Sequence, residues 1–557
     1  MVESYPELYE AFRWHVPKDF NLARACCFQW SSLPGYEQRP ALIYESRLGH
    51  TEMTSFAELG AVSSQLANGL IRLGVIPGDR VVVMLSNPSD TLTALLACWA
   101  IRAVAVPMKP GSSAEVLLPH IKQARSQVAL IDACNQGEAL AAIARCPRIK
   151  HIVGIDVYDG RVMSWRGLIA RQPTLFAPTQ SVPSDPAVMV WPEHPSPDLA
   201  PQAAMVLAHQ SLIGQLPGFV MAANWFPENA KQLLTTLKPW DESGLMAAIL
   251  PALYFGHTVV LANRLPNASN LPRHITHIVT TGKHLIETIK SDPNTSTRGT
   301  ALAALTVLDH TLASQWRVHA SNLYGTEVNL ATFVSGCGLL IAQSQRKWPE
   351  PADSCGHLVP GHKARLLERG SGSAASTDVR ELEVSRVDIA GQTDPAQFIQ
   401  AWPVKDQLDL SAELPTWWRT GLSAQTLPEG HWRVLGHAEE WQMIAGKALN
   451  LWQLEQTALT HPEIRWAEAA FIPCRKSQPE ELEIWMLLDA GTGDDHTLKP
   501  WRQTLRTDII NRILTSTGLD ADAVKFRVGL VDRNKVQSES LRAPWHMRAY
   551  QALVDFL

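Results

Sequence analysis

Two places in this 557-residue sequence hold charged side chains of a kind that can do chemistry, and a third bears on what they could act on. Glu327, preceded by Tyr324, Gly325 and Thr326, offers a carboxylate. Lys535, in Asn534-Lys535-Val536, offers a movable positive point charge. The third place is a connection of the opposite character. Between apolar runs at 187–191 and 205–212 lies PEHPSPDLAPQAA, residues 192–204, with four prolines, Glu193, Asp198 and one Ser, but no Gly, Lys or Arg. Glycines let backbone N–H groups converge on phosphate, and each proline removes one such donor. Glu193 and Asp198 are expected to repel a polyphosphate rather than cradle it. No Gly-x-Ser-x-Gly nucleophile motif occurs, so a serine-hydrolase alternative has no support.

Composition narrows the partners. Hydrophobic residues at 46% and charged residues at 18% fit a folded globular protein, long enough for two or three packed units. A formal charge of −5 gives no electrostatic reason to expect nucleic acid as a partner. No run of 18 apolar residues predicts a transmembrane segment, and the first twenty residues lack a secretory apolar stretch. The expected location is the cytoplasm. Eight scattered cysteines form no CxxC pair or Cys/His cluster with metal-ligand spacing, which fits buried thiols in a reducing compartment. His209, beside the loop, is expected to pack rather than to catalyse.

The elements that must position these residues read as α/β. Ser55-Phe56-Ala57-Glu58 is a capping-box sequence, and Phe56, Leu59, Val62, Leu66, Leu70 and Leu73 follow at helical spacing. Pro77-Gly78-Asp79 is turn chemistry, and a β-branched strand follows at 80–85. Asp90 is expected to cap a helix over 91–102. A strand at 104–107, a helix at 116–125 and a strand at 128–132 continue an alternation that implies parallel pairing. Residues 369–378, RGSGSAASTD, suit a surface turn, and the character of the chain changes again after Leu435-Gly436-His437. No internal repeat at fixed period is visible.

Ordered motifs over nearly the whole chain resemble the AMP-forming acyl-CoA synthetases and the wider adenylating-enzyme family. FAELGAVSSQLANGLIRLGVIPGDRVVVMLSN resembles the family's opening helix and strand, and HQSLIGQLPGF with SGLMAAILPALYFGHTVV resembles the segments after its phosphate loop. NLYGTEVN (322–329), GHLVPG (356–361), WWRTGL and NKVQSESLR (534–542) follow in the family's order. The resemblance implies a large N-terminal adenylate-forming domain of βα-layered subdomains, residues 1–436, and a small, mobile α+β C-terminal domain, residues 437–557. It implies Mg2+ held by Glu327, ATP or AMP held by Tyr324, Gly325 and Thr326, catalysis by Lys535, and CoA as a co-substrate. It places Glu439 at the hinge and Lys447 near CoA or phosphate. The implied reaction converts a small carboxylic acid, ATP and CoA to acyl-CoA through an acyl-adenylate, as in fatty acid metabolism.

Departures from the pattern cluster on nucleotide contacts. Leu422 replaces the carboxylate that grips the ribose, His437 replaces an arginine, and Ala448 replaces another near the CoA region. Asn534 replaces the glycine before Lys535, and LTVLDHTLASQW (305–316) looks shortened where the acyl pocket is expected. With the loop at 192–204, these changes point to adenylation that is weak or lost. Two alternatives stay open: a working ligase for a short- or medium-chain or aromatic acid with divergent ATP contacts, and a noncatalytic sensor of an acyl ligand or scaffold for a protein partner.

Overall fold

The structure is a computed structural model describing residues 4–45, 50–192, 196–199, 202–228, 230–291, 302–309, 312–351, 353–367, 380–402, 414–444, 447–461, 463–464, 466–473, 482–489, 499–519 and 525–530. Lys535 and its motif, Glu193, and the RGSGSAASTD segment lie outside these residues. For Lys447 and Ala448 the backbone alone is described.

The first α/β unit follows from its local chemistry. Ser55 caps the helix Phe56–Arg72: its side chain accepts the Glu58 N–H while the Glu58 carboxylate accepts the Ser55 N–H. Phe56, Leu59, Leu66 and Leu70 on one face are fully buried. Gly78 turns the chain at a φ of +85° into the strand Arg80–Met84. The next helix begins earlier than expected, at Pro88–Ala100. Its cap is Asn87, whose side chain accepts the N–H groups of Ser89 and Asp90, so Asp90 lies in the first turn. Pro88 explains the shift, since proline suits the first helical position, where no N–H is needed.

Eight strands form one sheet in the order Gln400–Trp402, Ala204–Ala208, Pro186–Val190, Val104–Pro107, Arg80–Met84, Val128–Asp132, His151–Ile155, Val162–Ser164. Pairing from Pro186–Val190 to Val162–Ser164 is parallel, as strand-helix alternation requires. Pro186–Val190 and Ala204–Ala208 pair antiparallel, so residues 192–204 span one end of a hairpin.

A second sheet has thirteen strands. One half is parallel, from Pro40–Glu45 through Thr258–Leu261, Gln232–Thr235, Ile275–Thr280 and Ala304–Val307 to Val328–Val334. The other half continues antiparallel through Gly338–Ala342, Gly356–Leu358, His431–His437, Trp417–Thr426, Arg380–Ser385 and Ala364–Leu367. After His437 come a two-stranded hairpin, Trp441–Ile444 with Lys447–Asn450, and a three-stranded sheet of Trp466–Pro473, Leu482–Asp489 and Lys525–Leu530. An apolar cluster joins Leu285, Ile286, Ile289 and Leu305 of the large sheet region to Leu454, Ala458, Ile464 and Ile509 beyond it. Among the described residues no helix is long and apolar enough to cross a membrane.

Candidate active site

Asp198 is a structural acceptor. Its Oδ2 takes the backbone N–H of Arg419 at 2.9 Å, and its Oδ1 lies 4.0 Å from the Arg419 guanidinium. The local turn is set by Ser196, whose hydroxyl accepts the Asp198 N–H and whose carbonyl accepts that of Leu199. Arg419, on the WWRTGL strand, also donates to Glu381 at 2.5 Å. Its guanidinium is held more firmly charged than usual, first by that hydrogen bond and then by Glu381, Asp198 and Glu383 against the cost of burial. Asp198, expected to repel a polyphosphate, has Arg419 as its partner, which the linear sequence places 221 positions away.

Leu422 and His437 are register partners across the antiparallel pair Trp417–Thr426 and His431–His437. Leu422 is 2% exposed and packs in the main apolar core. The His437 N–H donates to the Glu440 carboxylate at 3.3 Å, starting the short turn Ala438–Glu440. Glu439 projects from that turn and is exposed. Lys447 and Ala448 lie on the hairpin strand, opposite Ile444 and Met443.

The Tyr324-Gly325-Thr326-Glu327 segment ends a helix. Ser314–Tyr324 stops where Gly325 adopts φ +64° and donates its N–H to the Ser321 carbonyl. Tyr324 is fully buried and its hydroxyl donates to the Pro266 carbonyl at 2.7 Å, and burial pushes its phenol well above the usual range. Thr326 is partly exposed and Glu327 exposed. Leu305 is paired in parallel with Val328, so Glu327 stands at the amino end of its strand. Open α/β sheets bind ligands at the carboxyl ends of their strands. At that opposite edge Thr236 and Thr280 share a 2.8 Å hydrogen bond, and His284 Nδ1 lies 3.0 Å from both Thr236 and Thr281. Sequence reasoning passed over this cluster, because threonines in buried strands carry no motif.

His209 behaves as a packing residue. It is fully buried, accepts the Leu22 N–H on Nδ1 at 3.2 Å, and burial lowers its pKa to about 4. Six of the seven described cysteines are buried thiols, and Cys134 is exposed.

Residues 30–195 match the AMP-binding enzyme family, a span ending inside the 192–204 connection. The acetyl-coenzyme A synthetase of Thiobacillus denitrificans is 22% identical over 506 residues, 83% of this chain and 74% of that protein. The solved anthranilate CoA ligase AuaEII, in complex with anthranoyl-AMP, superposes with a TM-score of 0.74 at 15% identity, covering 97% of this chain and 99% of that one. ATP-bound MatB from Rhodopseudomonas palustris gives 0.72 at 17% identity, covering 96% and 99%. Residues 30–195 are thus similar to the AMP-binding enzyme family, and the chain as a whole shares the fold of the solved acyl-CoA ligases.

Acyl-CoA synthetases use ATP, Mg2+ and CoA, so the residues present can be tested against the nucleotide. Leu422 has no acceptor for a ribose hydroxyl and no exposed surface to offer. Among the described residues of 192–204, Asp198 is acidic and committed to Arg419, and no side chain is cationic. Glu327 keeps the carboxylate a divalent cation needs. Among the described residues, Glu327 offers an oxygen of the kind a divalent cation takes, and neither Leu422 nor Asp198 offers a donor to a polyphosphate.

Proposed function

We propose that this acyl-CoA synthetase-like protein retains the family's frame for a small carboxylic acid or acyl ligand while its adenylation activity is weak or lost. The single observation that carries this reading is the Leu422–His437 pair: an apolar, enclosed side chain faces a weakly basic one where a ribose grip needs a carboxylate. The Asp198–Arg419 contact supports it, since it ties down the connection that would otherwise supply phosphate donors. Removing one well-aimed transition-state donor costs about a hundred- to a thousandfold in rate, and several are replaced here. In this reading Glu327 and Lys535 are residual family residues, and residues 437–557 turn about Glu439 as a cytoplasmic protein binds its acyl ligand or CoA.

The deciding experiment pairs isothermal titration of ATP with Mg2+ against pyrophosphate release over a panel of short, medium and aromatic acids. The expected result is ATP binding too weak to fit and turnover several orders of magnitude below an ordinary ligase. Turnover at ordinary ligase rates would establish the working-enzyme alternative instead.

A further inference from the structure

Three side chains converge at the GHLVPG strand, and none of them carries a role assigned above. His357, on the strand Gly356–Leu358, and His431, the first residue of His431–His437, are direct register partners on adjacent antiparallel strands. Their rings lie 4.1 Å apart. The carboxylate of Glu350, from the preceding connection, reaches between them: Oε1 is 3.6 Å from His357 Nδ1 and Oε2 is 3.7 Å from His431 Nδ1. All three side chains are enclosed, at 0% exposure for Glu350, 6% for His357 and 7% for His431.

These separations are too long for N–H···O hydrogen bonds, which span about 2.7–3.2 Å. Glu350 Oε1 and His357 Nδ1 accordingly have no hydrogen-bond partner among the described residues. A buried carboxylate oxygen and a buried imidazole nitrogen left unmatched are costly, and most such atoms find partners. The separations lie close to those imposed by a shared ion. Two ligands at about 2.0–2.1 Å from a tetrahedral Zn2+ stand roughly 3.3 Å from each other. Two imidazoles and one carboxylate are also a donor set that zinc-class divalent ions accept.

The surroundings hold these groups in place. Ser354 Oγ donates to Glu350 Oε2 at 3.0 Å and lies 3.4 Å from His431 Nδ1, so its oxygen or a water can complete four ligands. Gly356 takes φ +114°, and a Cβ there would meet the Ala342 carbonyl at 2.2 Å, so only glycine brings His357 onto this strand. The Tyr5 ring packs tilted against His357 with ring centres 4.0 Å apart, bringing the amino-terminal helix Tyr5–Ala11 against the site. Arg317 and Cys355 lie within electrostatic reach of Glu350.

We propose that Glu350, His357 and His431 form a structural binding site for a zinc-class divalent ion. The ion would pin the connection before Gly356–Leu358 to the strand beginning at His431, and so fix the platform on which the amino-terminal helix docks. It uses none of Tyr324, Gly325, Thr326 or Glu327 and does not depend on whether the chain adenylates.

The test uses the full chain carrying Cys134→Ser, which removes an exposed thiol as a competing ligand. The protein is stripped with chelator and titrated with Zn2+ against a chromophoric competitor, then with Co2+ followed by visible absorption. One equivalent should bind, with cobalt bands of four-coordinate type, and Zn2+ should raise the melting temperature. Glu350→Gln and His431→Gln, near in shape to the originals, should each weaken binding at least tenfold. Zinc-edge X-ray absorption of the loaded chain should read nitrogen and oxygen neighbours with no sulfur, whatever the stability of the variants. No binding, unchanged affinity in both variants, or a sulfur shell would each overturn the proposal.

Discussion

Leu422 stands where the family resemblance expects a carboxylate, and its burial determines what restoring one would do. An aspartate there would place an uncompensated charge in the core, at a cost of about 3–5 kcal/mol. Leu422→Asp alone should therefore lower the melting temperature sharply without giving measurable ATP binding. His437→Arg, its register partner, should recover part of that loss, with a coupling of about 0.5–3 kcal/mol in a double-mutant cycle read by thermal melting. Strict additivity would show that the two positions do not face one another. At Asp198 the expected effect is smaller, because both it and Arg419 reach solvent. Asp198→Ala should cost roughly 1 kcal/mol, and Asp198→Asn, which keeps an acceptor for the Arg419 N–H, clearly less.

At the scale of elements, the helix Pro88–Ala100 separates two carboxamide and carboxylate roles that look alike in sequence. Asn87 satisfies two otherwise orphaned N–H groups, so Asn87→Ala should destabilise by about 1 kcal/mol. Asp90, one turn in, is held up to about 6, first by burial and then by Asp132, Glu52 and Asp156. A carboxyl that titrates higher in the fold than in the unfolded chain is kept charged at a cost near pH 7. Asp90→Asn should thus raise the melting temperature at pH 7, and the gain should vanish below pH 4, where the native carboxyl is already neutral. A loss at pH 7 would mean that Asp90 is a cap after all. The 192–204 connection is a second case: it is a braced hairpin end, and replacing it by a Ser/Thr/Gly/Lys loop should raise ATP affinity when combined with Leu422→Asp and His437→Arg.

For the whole molecule, buried neutral histidines set the acid limit. Burial holds His209 down to about 4, and His277 is held to about 4 by burial and the neighbouring His257. The unfolded imidazole gains its proton near pH 6.5, before the folded one does. The stabilisation is complete above that pH and is lost as the pH falls from 6.5 through 4. For His209, which is fully buried, the loss is on the order of 3 kcal/mol. Melting temperatures measured from pH 7 to 4 should fall, and His209→Gln should flatten the slope. An unchanged slope would mean that His209 is protonated within the fold.

Local chemistry made much of this protein legible from its sequence: the Ser55–Glu58 box, the Gly78 turn, the alternation that pairs 80–84 with 104–107 and 128–132, and the foreign composition of 192–204. Each of those signals lies within a few residues of its effect, where dihedral preference, capping and periodicity act. The helix start moved from Asp90 to Asn87 because two neighbouring polar residues competed for one cap and Pro88 settled it. Only the tertiary structure could decide that Asp198 braces Arg419, that Leu422 faces His437, that Tyr324 is a core residue, and that Glu350, His357 and His431 meet. Those contacts join residues far apart in the chain through strand register and sheet order. Such pairings are chosen by the packing of whole elements, a global sum to which no short stretch of sequence has access.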